Sequence, residues 1–262
     1  MRIARFETAD GRVLHGALNE DQTARPLIGD LFSEHRLETT RVQVKRLLAP
    51  VCPPNIFAIG RNYRAHVAET GAATPERPLI FQKPTTALND PDGVIALPRS
   101  APNEVDFEAE LAIVIGRRAR RVPAAQAMDY VLGFTCANDI SARDCQRNDK
   151  QWTRAKGFDT FCPLGPWIVT KDELSPDDRP IRSILNGRVM QDSNTSEMTY
   201  GCAALVSYVS EQFTLLPGTL LLTGTPDGVG FARKPPVFLS PGDRIEVEID
   251  GIGRLANTVA AE

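Results

Sequence analysis

Three acidic side chains alternate with apolar residues along one short segment of this 262-residue chain. In the segment DFEAELAIVI these are Asp106, Glu108 and Glu110. Alternate side chains of a β-strand share a face, so we expect the acids to project together and the odd-numbered residues from Phe107 to Ile115 to form an apolar face. Neighbouring carboxylates repel unless a cation lies between them, and Mg²⁺ and Ca²⁺ prefer oxygen ligands. The spacing indicates a divalent metal site, with a solvent-facing acidic strand as the alternative.

A further acid, Asp139, follows the apolar stretch VLGFTCAN. A carboxylate at the end of a buried strand is costly unless it is paired or binds a metal. The alternative is that Asp139 caps a helix predicted over residues 140–149. Arg143 and Gln146 lie four and seven residues further on and would share its helical face. An acid, a guanidinium and an amide directed at one point suit a metal-bound carboxylate substrate.

A candidate general base lies in the segment GRNYRAHVAE, which contains His66, one of only 3 histidines in the chain. Glu69 lies three residues after it, so on a helical turn the carboxylate can orient the imidazole and stabilise its charge. A histidine arranged in this way can activate water near neutral pH. A surface His–Glu pair without a catalytic role is the alternative interpretation.

Two further segments could contribute to the same chemistry. WTRAKGFD places Lys156 in a loop bounded by glycine, and LTGTPDGVG is a glycine-rich loop that leaves an apolar strand. The second segment lacks the spacing of a phosphate-binding loop. It is better interpreted as a tight turn that offers backbone N–H groups and the hydroxyl of Thr225.

The elements that must position these residues are mostly strands. The 20 prolines and 19 glycines divide the chain into short segments, and strand patterns outnumber helical ones without alternating with them, which argues against a doubly wound fold. Hairpin turns are predicted at residues 10–11, 186–187 and 250–251, and helices at 39–48 and 203–213. Strands are expected over 56–59, 79–81, 107–115, 131–137, 167–170, 220–223 and 244–249. The proline-rich stretch 50–54 is the candidate linker between a small N-terminal domain, residues 1–50, and a main domain, residues 53–262.

Composition excludes several classes of protein. With 42% hydrophobic and 24% charged residues the chain is not of the disordered class. Its 30 Lys and Arg against 33 Asp and Glu give a net charge of −3, which argues against nucleic acid as the main partner. No stretch approaches the ~18 apolar residues that cross a bilayer, and no signal-peptide pattern is present. Five scattered cysteines suit reduced thiols, so we expect a cytoplasmic protein without a membrane partner.

In their order along the chain, these motifs resemble the fumarylacetoacetate hydrolase family, over about residues 53–260. The motifs that carry the resemblance are the segment GRNYRAHVAE from Gly60 to Glu69, the segment FQKP at 81–84, Glu108-x-Glu110, Asp139-x-x-x-Arg143-x-x-Gln146, KGFD at 156–159 and TGTPDGVG at 223–230. Residues 1–50 resemble the small N-terminal extension of some bacterial members. The fold that the resemblance implies is α+β and β-dominated, a mixed β-roll or barrel, in a chain that forms a homodimer.

The resemblance also implies roles for single residues. Glu108, Glu110 and Asp139 would hold Mg²⁺, with Mn²⁺ or Ca²⁺ as alternatives. His66 and Glu69 would form the catalytic dyad on a mobile lid, and Lys156 would be the active-site lysine. The substrate would be bound by Arg143, Gln146, Thr225 and Lys83.

One departure from the family pattern narrows the expected substrate. The founding hydrolase carries a fourth metal ligand, an Asp, seven residues before its catalytic histidine, and here Ile59 occupies that position. The chain therefore resembles the shorter, three-carboxylate members, which include acylpyruvate hydrolases, oxaloacetate-type decarboxylases and isomerases.

We predict metal-dependent cleavage of a C–C bond, by hydrolysis or decarboxylation, in a small 2-oxo or 2,4-dioxo acid through a metal-stabilised enolate. The first alternative is isomerisation of 2-hydroxyhepta-2,4-diene-1,7-dioate or 5-carboxymethyl-2-hydroxymuconate. The second alternative is a non-catalytic metal- or ligand-binding module.

Overall fold

The computed structural model of the chain describes residues 1–262, and strands dominate it. The strands are β1 (Arg2–Glu7), β2 (Val13–Leu18), β3 (Thr23–Gly29), β4 (His35–Leu37), β5 (Val42–Gln43), β6 (Arg46–Leu48), β7 (Ile56–Gly60), β8 (Leu79–Lys83), β9 (Leu88–Asn89), β10 (Val94–Leu97), β11 (Val105–Asp106), β12 (Ala109–Ile115), β13 (Val131–Asn138), β14 (Ser141–Ala142), β15 (Cys162–Thr170), β16 (Pro180–Leu185), β17 (Arg188–Asn194), β18 (Leu220–Leu222), β19 (Arg244–Ile249) and β20 (Gly253–Ala261).

The helices are few and mostly short. The α-helices are α1 (Arg64–Glu69), α2 (Ala124–Ala127), α3 (Arg143–Asn148), α4 (Thr153–Lys156) and α5 (Cys202–Gln212). Single 3₁₀ turns span Thr85–Ala87, Met128–Tyr130, Thr195–Glu197 and Gly230–Ala232. The predicted helix over 203–213 is confirmed by α5. No helix is both long and apolar enough to span a membrane.

The strands form three sheets, and the two larger ones contain both parallel and antiparallel pairs. This confirms the predicted β-dominated α+β class. The largest has 13 strands, in the order β4-β3-β2-β1-β15-β13-β12-β18-β7-β8 with β5, β6 and β9 paired to its side. The second has 5 strands, in the order β10-β20-β19-β16-β17, and β11 pairs with β14. The main sheet ends at β4 and β8 and does not close into a barrel. All three predicted hairpins form, as β1–β2, β16–β17 and β19–β20.

Strand β12 lies inside the main sheet, between β13 and β18, and all of its residues are buried. Leu111 and Ile113 pack in one core cluster, whereas Ala112 and Val114 pack in the other. The predicted apolar face is wrong at Phe107, which packs with Ala112 and Val114. The alternation is interrupted at residues 107–108, where the chain is not in a strand.

Residues 1–50 extend the main sheet. Strand β1 pairs with β15, with Arg2 opposite Val169 and Ile3 opposite Ile168. The helix predicted over residues 39–48 is wrong, because β5 pairs with β3 and β6 pairs with β1. Tertiary pairing overrides the local helical pattern there. The independence of residues 1–50 as a domain stays a prediction.

The chemistry-bearing residues meet at one edge of the main sheet. The register places Glu110 of β12 opposite Ala137 of β13, and Leu222 of β18 opposite both Ala112 of β12 and Ala58 of β7. Strand β12 therefore begins where β13, β18 and β7 end. The loops that follow these three strands all leave at this edge.

Candidate active site

Three carboxylates form a compact group at this edge, which we call the carboxylate cluster: Glu108, Glu110 and Asp139. One oxygen of each lies within 4.8 Å of the others. The cluster is assembled across the β12–β13 pair, because the backbone N–H of Asp139 donates to the carbonyl of Glu108 at 2.9 Å. All three side chains are buried. Three convergent oxygen donors fit a hard divalent cation, as the alternating acids predicted.

Asp139 reaches the cluster without being part of a helix. Residues 141–142 form strand β14, and helix α3 begins only at Arg143. The prediction of one helix over 140–149 is therefore wrong at its start, and Asp139 is not a helix cap. Asp139 and Arg143 nevertheless meet at Glu108, because Arg143 contacts Glu108 directly and Asp139 shares its partner Lys156.

Two buried lysines neutralise part of the cluster. The Nζ of Lys156 lies 2.7 Å from Glu108 Oε2 and 2.7 Å from Asp139 Oδ2. Lys83, at the end of β8, donates to the other oxygen of Asp139 and to the carbonyl of Ile140. Lys156 is the last residue of the one-turn helix α4 and does not lie in a loop as predicted. Both lysines are thus held against the cluster by ion pairs in a buried environment.

The pKa values of the cluster residues differ according to their partners. Burial raises the pKa of Glu108, but Lys156 and Arg143 outweigh it and hold that pKa well below its usual range. Burial and the negative charges of Asp139 and Glu108 raise the pKa of Glu110 well above its usual value. Burial opposes the charge of Lys156, but Asp139 and Glu108 raise its pKa. Glu110 is also the one carboxylate of the cluster that forms no ion pair with a lysine or arginine, since the paired members are Glu108 and Asp139.

Asp106 does not join the cluster, although the sequence predicted that its side chain projects beside those of Glu108 and Glu110. It accepts hydrogen bonds from the Nε of Arg143 at 2.9 Å and from the backbone N–H groups of Gly230 and Phe231 at 2.8 and 3.0 Å. The break in the strand at residues 107–108 turns it away. Asp106 instead anchors Arg143, behind the cluster.

The guanidinium of Arg143 is directed at protein groups. Its Nη2 lies 2.7 Å from Glu108, and its Nη1 donates to the Oε1 of Gln146 at 2.8 Å. The ring of Phe231 covers the guanidinium, with its centroid 4.3 Å from Cζ. Because the oxygen of Gln146 accepts from Arg143, the Nε2 amide group is left to donate into the neighbouring space.

The glycine-rich loop, residues 223–230, lies against the cluster. The N–H of Gly224 donates to Glu110 Oε2 at 2.8 Å. Gly224 has a φ of +97°, and a Cβ there would lie 2.8 Å from the Cβ of Asn62. Asn62 is buried and donates to the carbonyls of Thr223 and Tyr200 at 2.7 and 3.0 Å. Glycine is required at 224 by both the backbone angle and the close approach.

The dyad, His66 and Glu69, lies on helix α1 as its spacing predicted. The Nδ1 of His66 is 2.8 Å from Glu69 Oε1. The second oxygen of Glu69 accepts from the N–H of Gly228 at 2.9 Å, so the dyad is tied to the glycine-rich loop. Since Glu69 accepts the Nδ1–H, the Nε2 of His66 carries the free lone pair.

A cavity of about 270 Å³ joins these parts. Of the residues predicted for the site, those that line it are His66, Glu108, Glu110, Arg143, Gln146, Lys156 and Thr225. Asp139 and Glu69 lie behind this lining and contact Lys156 and His66 of it, and Lys83 in turn contacts Asp139. Arg61 and Trp152 also line the cavity and were not predicted. The structure thus brings every predicted site residue to one place.

The chain is similar over most of its length to known proteins. The family model described as "Fumarylacetoacetate (FAA) hydrolase C-terminal" matches residues 55–260, and the one described as "Rv2993c-like, N-terminal" matches residues 1–50. The chain is 46% identical to Protein Rv2993c of Mycobacterium tuberculosis, over 99% of this chain and 98% of that protein. It is 45% identical to oxaloacetate tautomerase fahd2, mitochondrial, of Xenopus laevis, over 91% of this chain and 74% of that protein. The solved structure of 5-carboxymethyl-2-hydroxymuconate delta-isomerase from Mycobacterium smegmatis superposes with a TM-score of 0.89 at 43% identity, covering 100% of both chains.

Proposed function

Because the chain belongs to the fumarylacetoacetate hydrolase family and is an enzyme of that family, we propose that it is a divalent-metal-dependent enzyme that moves a proton next to the keto group of a small 2-oxo dicarboxylic acid. The observation that carries this proposal is that Glu108 and Glu110 of the carboxylate cluster line the same cavity as His66. Oxaloacetate is the first candidate substrate, and its keto–enol tautomerisation is the first candidate reaction. The similarity of the chain to the oxaloacetate tautomerase of Xenopus laevis supports this order of candidates.

Glu108, Glu110 and Asp139 would hold the cation, for which we propose Mg²⁺, with Mn²⁺ or Ca²⁺ as alternatives. A bound divalent cation supplies a Lewis acid that withdraws electron density from a keto oxygen. The remaining steps belong to the chain. The amide Nε2 of Gln146 donates to an oxygen of the substrate, because its Oε1 is occupied by Arg143. Lys156 keeps positive charge beside the oxygen that becomes negative.

Proton transfer falls to the dyad. Glu69 accepts the Nδ1–H of His66 and so leaves Nε2 as the basic atom. His66 lines the cavity, whereas Glu69 lies behind it, so only the histidine reaches the substrate. Nε2 takes a proton from the carbon next to the keto group, which gives an enolate, and the imidazolium then donates a proton to the enolate oxygen, which gives the enol.

Arg61 supports a dicarboxylic substrate. The cavity is lined by four cationic side chains, of which Arg143, Arg147 and Lys156 are each paired with an acid of the protein. Arg61 forms no ion pair and no side-chain hydrogen bond. Its backbone is held at a φ of +58°, between Gly60 and the buried Asn62. The uncommitted guanidinium therefore suits the second carboxylate of a diacid.

C–C bond cleavage of an oxo acid, by hydrolysis or decarboxylation, is the second candidate function. The His66–Glu69 pair favours it, because the same base can take a proton from water. Isomerisation of 2-hydroxyhepta-2,4-diene-1,7-dioate or 5-carboxymethyl-2-hydroxymuconate is the third, and the solved M. smegmatis structure supports it. We also propose that the protein is cytoplasmic and forms a homodimer. Sedimentation velocity of the full chain would test the homodimer.

A panel assay distinguishes these reactions. Oxaloacetate tautomerisation, oxaloacetate decarboxylation, acetylpyruvate hydrolysis and isomerisation of a hydroxydienedioate are measured with Mg²⁺ and with a chelator. We expect tautomerisation to be fastest and to be lost in the chelator. Preferential turnover of acetylpyruvate would move C–C hydrolysis to first place. Absence of detectable turnover of every substrate in the panel would contradict the proposal.

The variants Arg61→Ala and Arg147→Ala test the diacid assignment. Both residues line the cavity, but Arg147 is paired with Glu104 at 2.6 Å. We expect Arg61→Ala to raise KM for oxaloacetate about tenfold, as for loss of one charge-assisted hydrogen bond, and to leave KM for a monocarboxylic 2-oxo acid unchanged. Arg147→Ala serves as the control with a smaller effect on both. Equal changes for mono- and dicarboxylic acids would contradict the role of Arg61.

A further inference from the structure

One buried residue outside every predicted motif connects the two halves of the site. Gln191 lies on β17 in the second sheet and is fully buried. Its Oε1 accepts from the N–H of Ala109, at the start of the strand that carries Glu110, at 2.9 Å. Its Nε2 donates to Thr225 Oγ1 at 2.7 Å and to the carbonyl of Pro226 at 2.8 Å. Gln191 therefore joins strand β12 to the glycine-rich loop.

These contacts fix the orientation of the amide. The N–H of Ala109 can only donate and the carbonyl of Pro226 can only accept, so the oxygen and nitrogen of Gln191 cannot be exchanged. The group that faces Thr225 is consequently the NH₂ donor. The hydroxyl of Thr225 must accept from it.

The same hydroxyl has a second fixed partner. Thr225 Oγ1 donates its hydrogen to the carbonyl of Ala109 at 3.0 Å. A hydroxyl has one hydrogen and two lone pairs, and here the hydrogen and one lone pair are used. Thr225 lines the cavity, and its remaining lone pair is the only hydrogen-bonding capacity that its hydroxyl has left for a ligand there.

We propose that Gln191 is a positioning residue that makes Thr225 a hydrogen-bond acceptor for a hydroxyl group of the ligand, such as the hydroxyl of an enol. A carboxylate or keto oxygen has no hydrogen to donate and would be repelled at this point, whereas Gln146 offers the donor that such an oxygen needs. The inference rests on the proposed function, because both place a small oxygen-rich acid in this cavity.

The test compares the binding of hydroxymalonate and malonate to the Mg²⁺-loaded protein by titration calorimetry. The two acids differ by one hydroxyl on the carbon next to the carboxylates. We expect the wild type to prefer hydroxymalonate, and Thr225→Val to reduce that preference about three- to tenfold, the scale of one hydrogen bond. Thr225→Ser, which keeps the hydroxyl, should retain it. An unchanged preference in Thr225→Val overturns the proposal.

Gln191 is tested with Gln191→Glu, which keeps the size and the acceptor for Ala109 but removes both donors. Its matched control is Asn257→Asp. Asn257 is a buried amide on β20 that donates to the carbonyls of Asp90 and Gly93 at 2.9 Å each and does not line the cavity. Both variants place a carboxylate at a buried amide position, so both should unfold at a lower temperature.

We expect only Gln191→Glu to lose the preference for hydroxymalonate, with malonate affinity retained. Equal preference ratios in Gln191→Glu and Asn257→Asp overturn the positioning role. Gln191→Met provides a second, uncharged variant with the same expected loss should the carboxylate prevent folding. Failure of the wild type to bind either acid would instead contradict the proposed function itself.

Discussion

The carboxylate cluster and the dyad lie at the same cavity but are built in opposite ways. The cluster lies at the ends of interior strands, and two of its acids, Glu108 and Asp139, are paired with Lys83, Lys156 and Arg143. The dyad lies on a helix of 6 residues that has no side-chain cap. One hydrogen bond, from Gly228 to Glu69, joins the side chains of the dyad to the glycine-rich loop. The site therefore combines a rigid part that stabilises charge with a lightly held part that moves a proton.

The largest effect is expected from the rigid part. Asp139→Asn removes one cluster charge and leaves Lys83 and Lys156 with one fewer anionic partner. We expect Mg²⁺ binding to fall below detection in calorimetry and turnover to fall by about 10³-fold or more, since both the ligand and the electrostatic stabilisation are lost. Asp192→Asn, at an exposed ion pair with Arg182, is the control with little effect. Activity of Asp139→Asn that survives in a chelator would disprove the metal assignment.

The second-largest effect is expected from the dyad, and it should distinguish the role of the dyad from that of the cluster. His66→Ala should lower proton-transfer reactions by about 10²–10⁴-fold, the scale of a general base, with Mg²⁺ affinity unchanged. Decarboxylation of oxaloacetate should fall less, because it depends mainly on electron withdrawal. The measurement is the ratio of the two rates, with the exposed His35→Ala as control. Equal loss of both would assign His66 to binding or closure of the cavity.

A smaller effect is expected from Glu69, which lies behind His66 as seen from the cavity. Glu69→Gln keeps the shape of the side chain but cannot neutralise an imidazolium, so kcat should fall about tenfold, as for a hydrogen bond to a charged group. KM should hardly change, because Glu69 does not line the cavity. Steady-state kinetics on the wild type and this variant give both constants. A change confined to KM would show that Glu69 acts by holding the helix against Gly228.

The smallest effect is a pH dependence that only the cluster should show. Burial, Asp139 and Glu108 raise the pKa of Glu110, so this carboxyl holds a proton over a pH range in which it must release it to bind a cation. Mg²⁺ affinity should therefore rise with pH, by at most about tenfold per unit for one proton. Calorimetry in buffers of different ionisation enthalpy measures the released proton. An affinity for Mg²⁺ that does not change with pH, or binding without proton release, would contradict the prediction.

Much of the architecture could be predicted from local patterns. The alternation in β12 and the short turns at residues 10–11, 186–187 and 250–251 each act within a few residues, and the structure follows them. The helix expected over 39–48 failed because Arg46 to Leu48 find their partners on β1, some forty residues away. A pattern read locally cannot include that pairing.

The site divides in the same way. Glu108 and Glu110 could be identified from their alternation and His66 and Glu69 from their spacing, because those contacts are local. Gln191 gave no signal, since its partners lie 82 and 34 positions away in the chain. The sequence also could not predict that the side chain of Asp106 points away from the carboxylate cluster. That orientation depends on a break in the strand at residues 107–108, which the alternating sequence does not show.

The pairing of β1 with β15 has a consequence for handling shortened forms of the chain. Ile3 and Leu31 pack in the same core cluster as Ile168, so removal of residues 1–50 would uncover apolar surface as well as one side of β15. An unpaired strand edge beside apolar side chains is a template for intermolecular pairing. A chain that begins at residue 53 should therefore aggregate during expression.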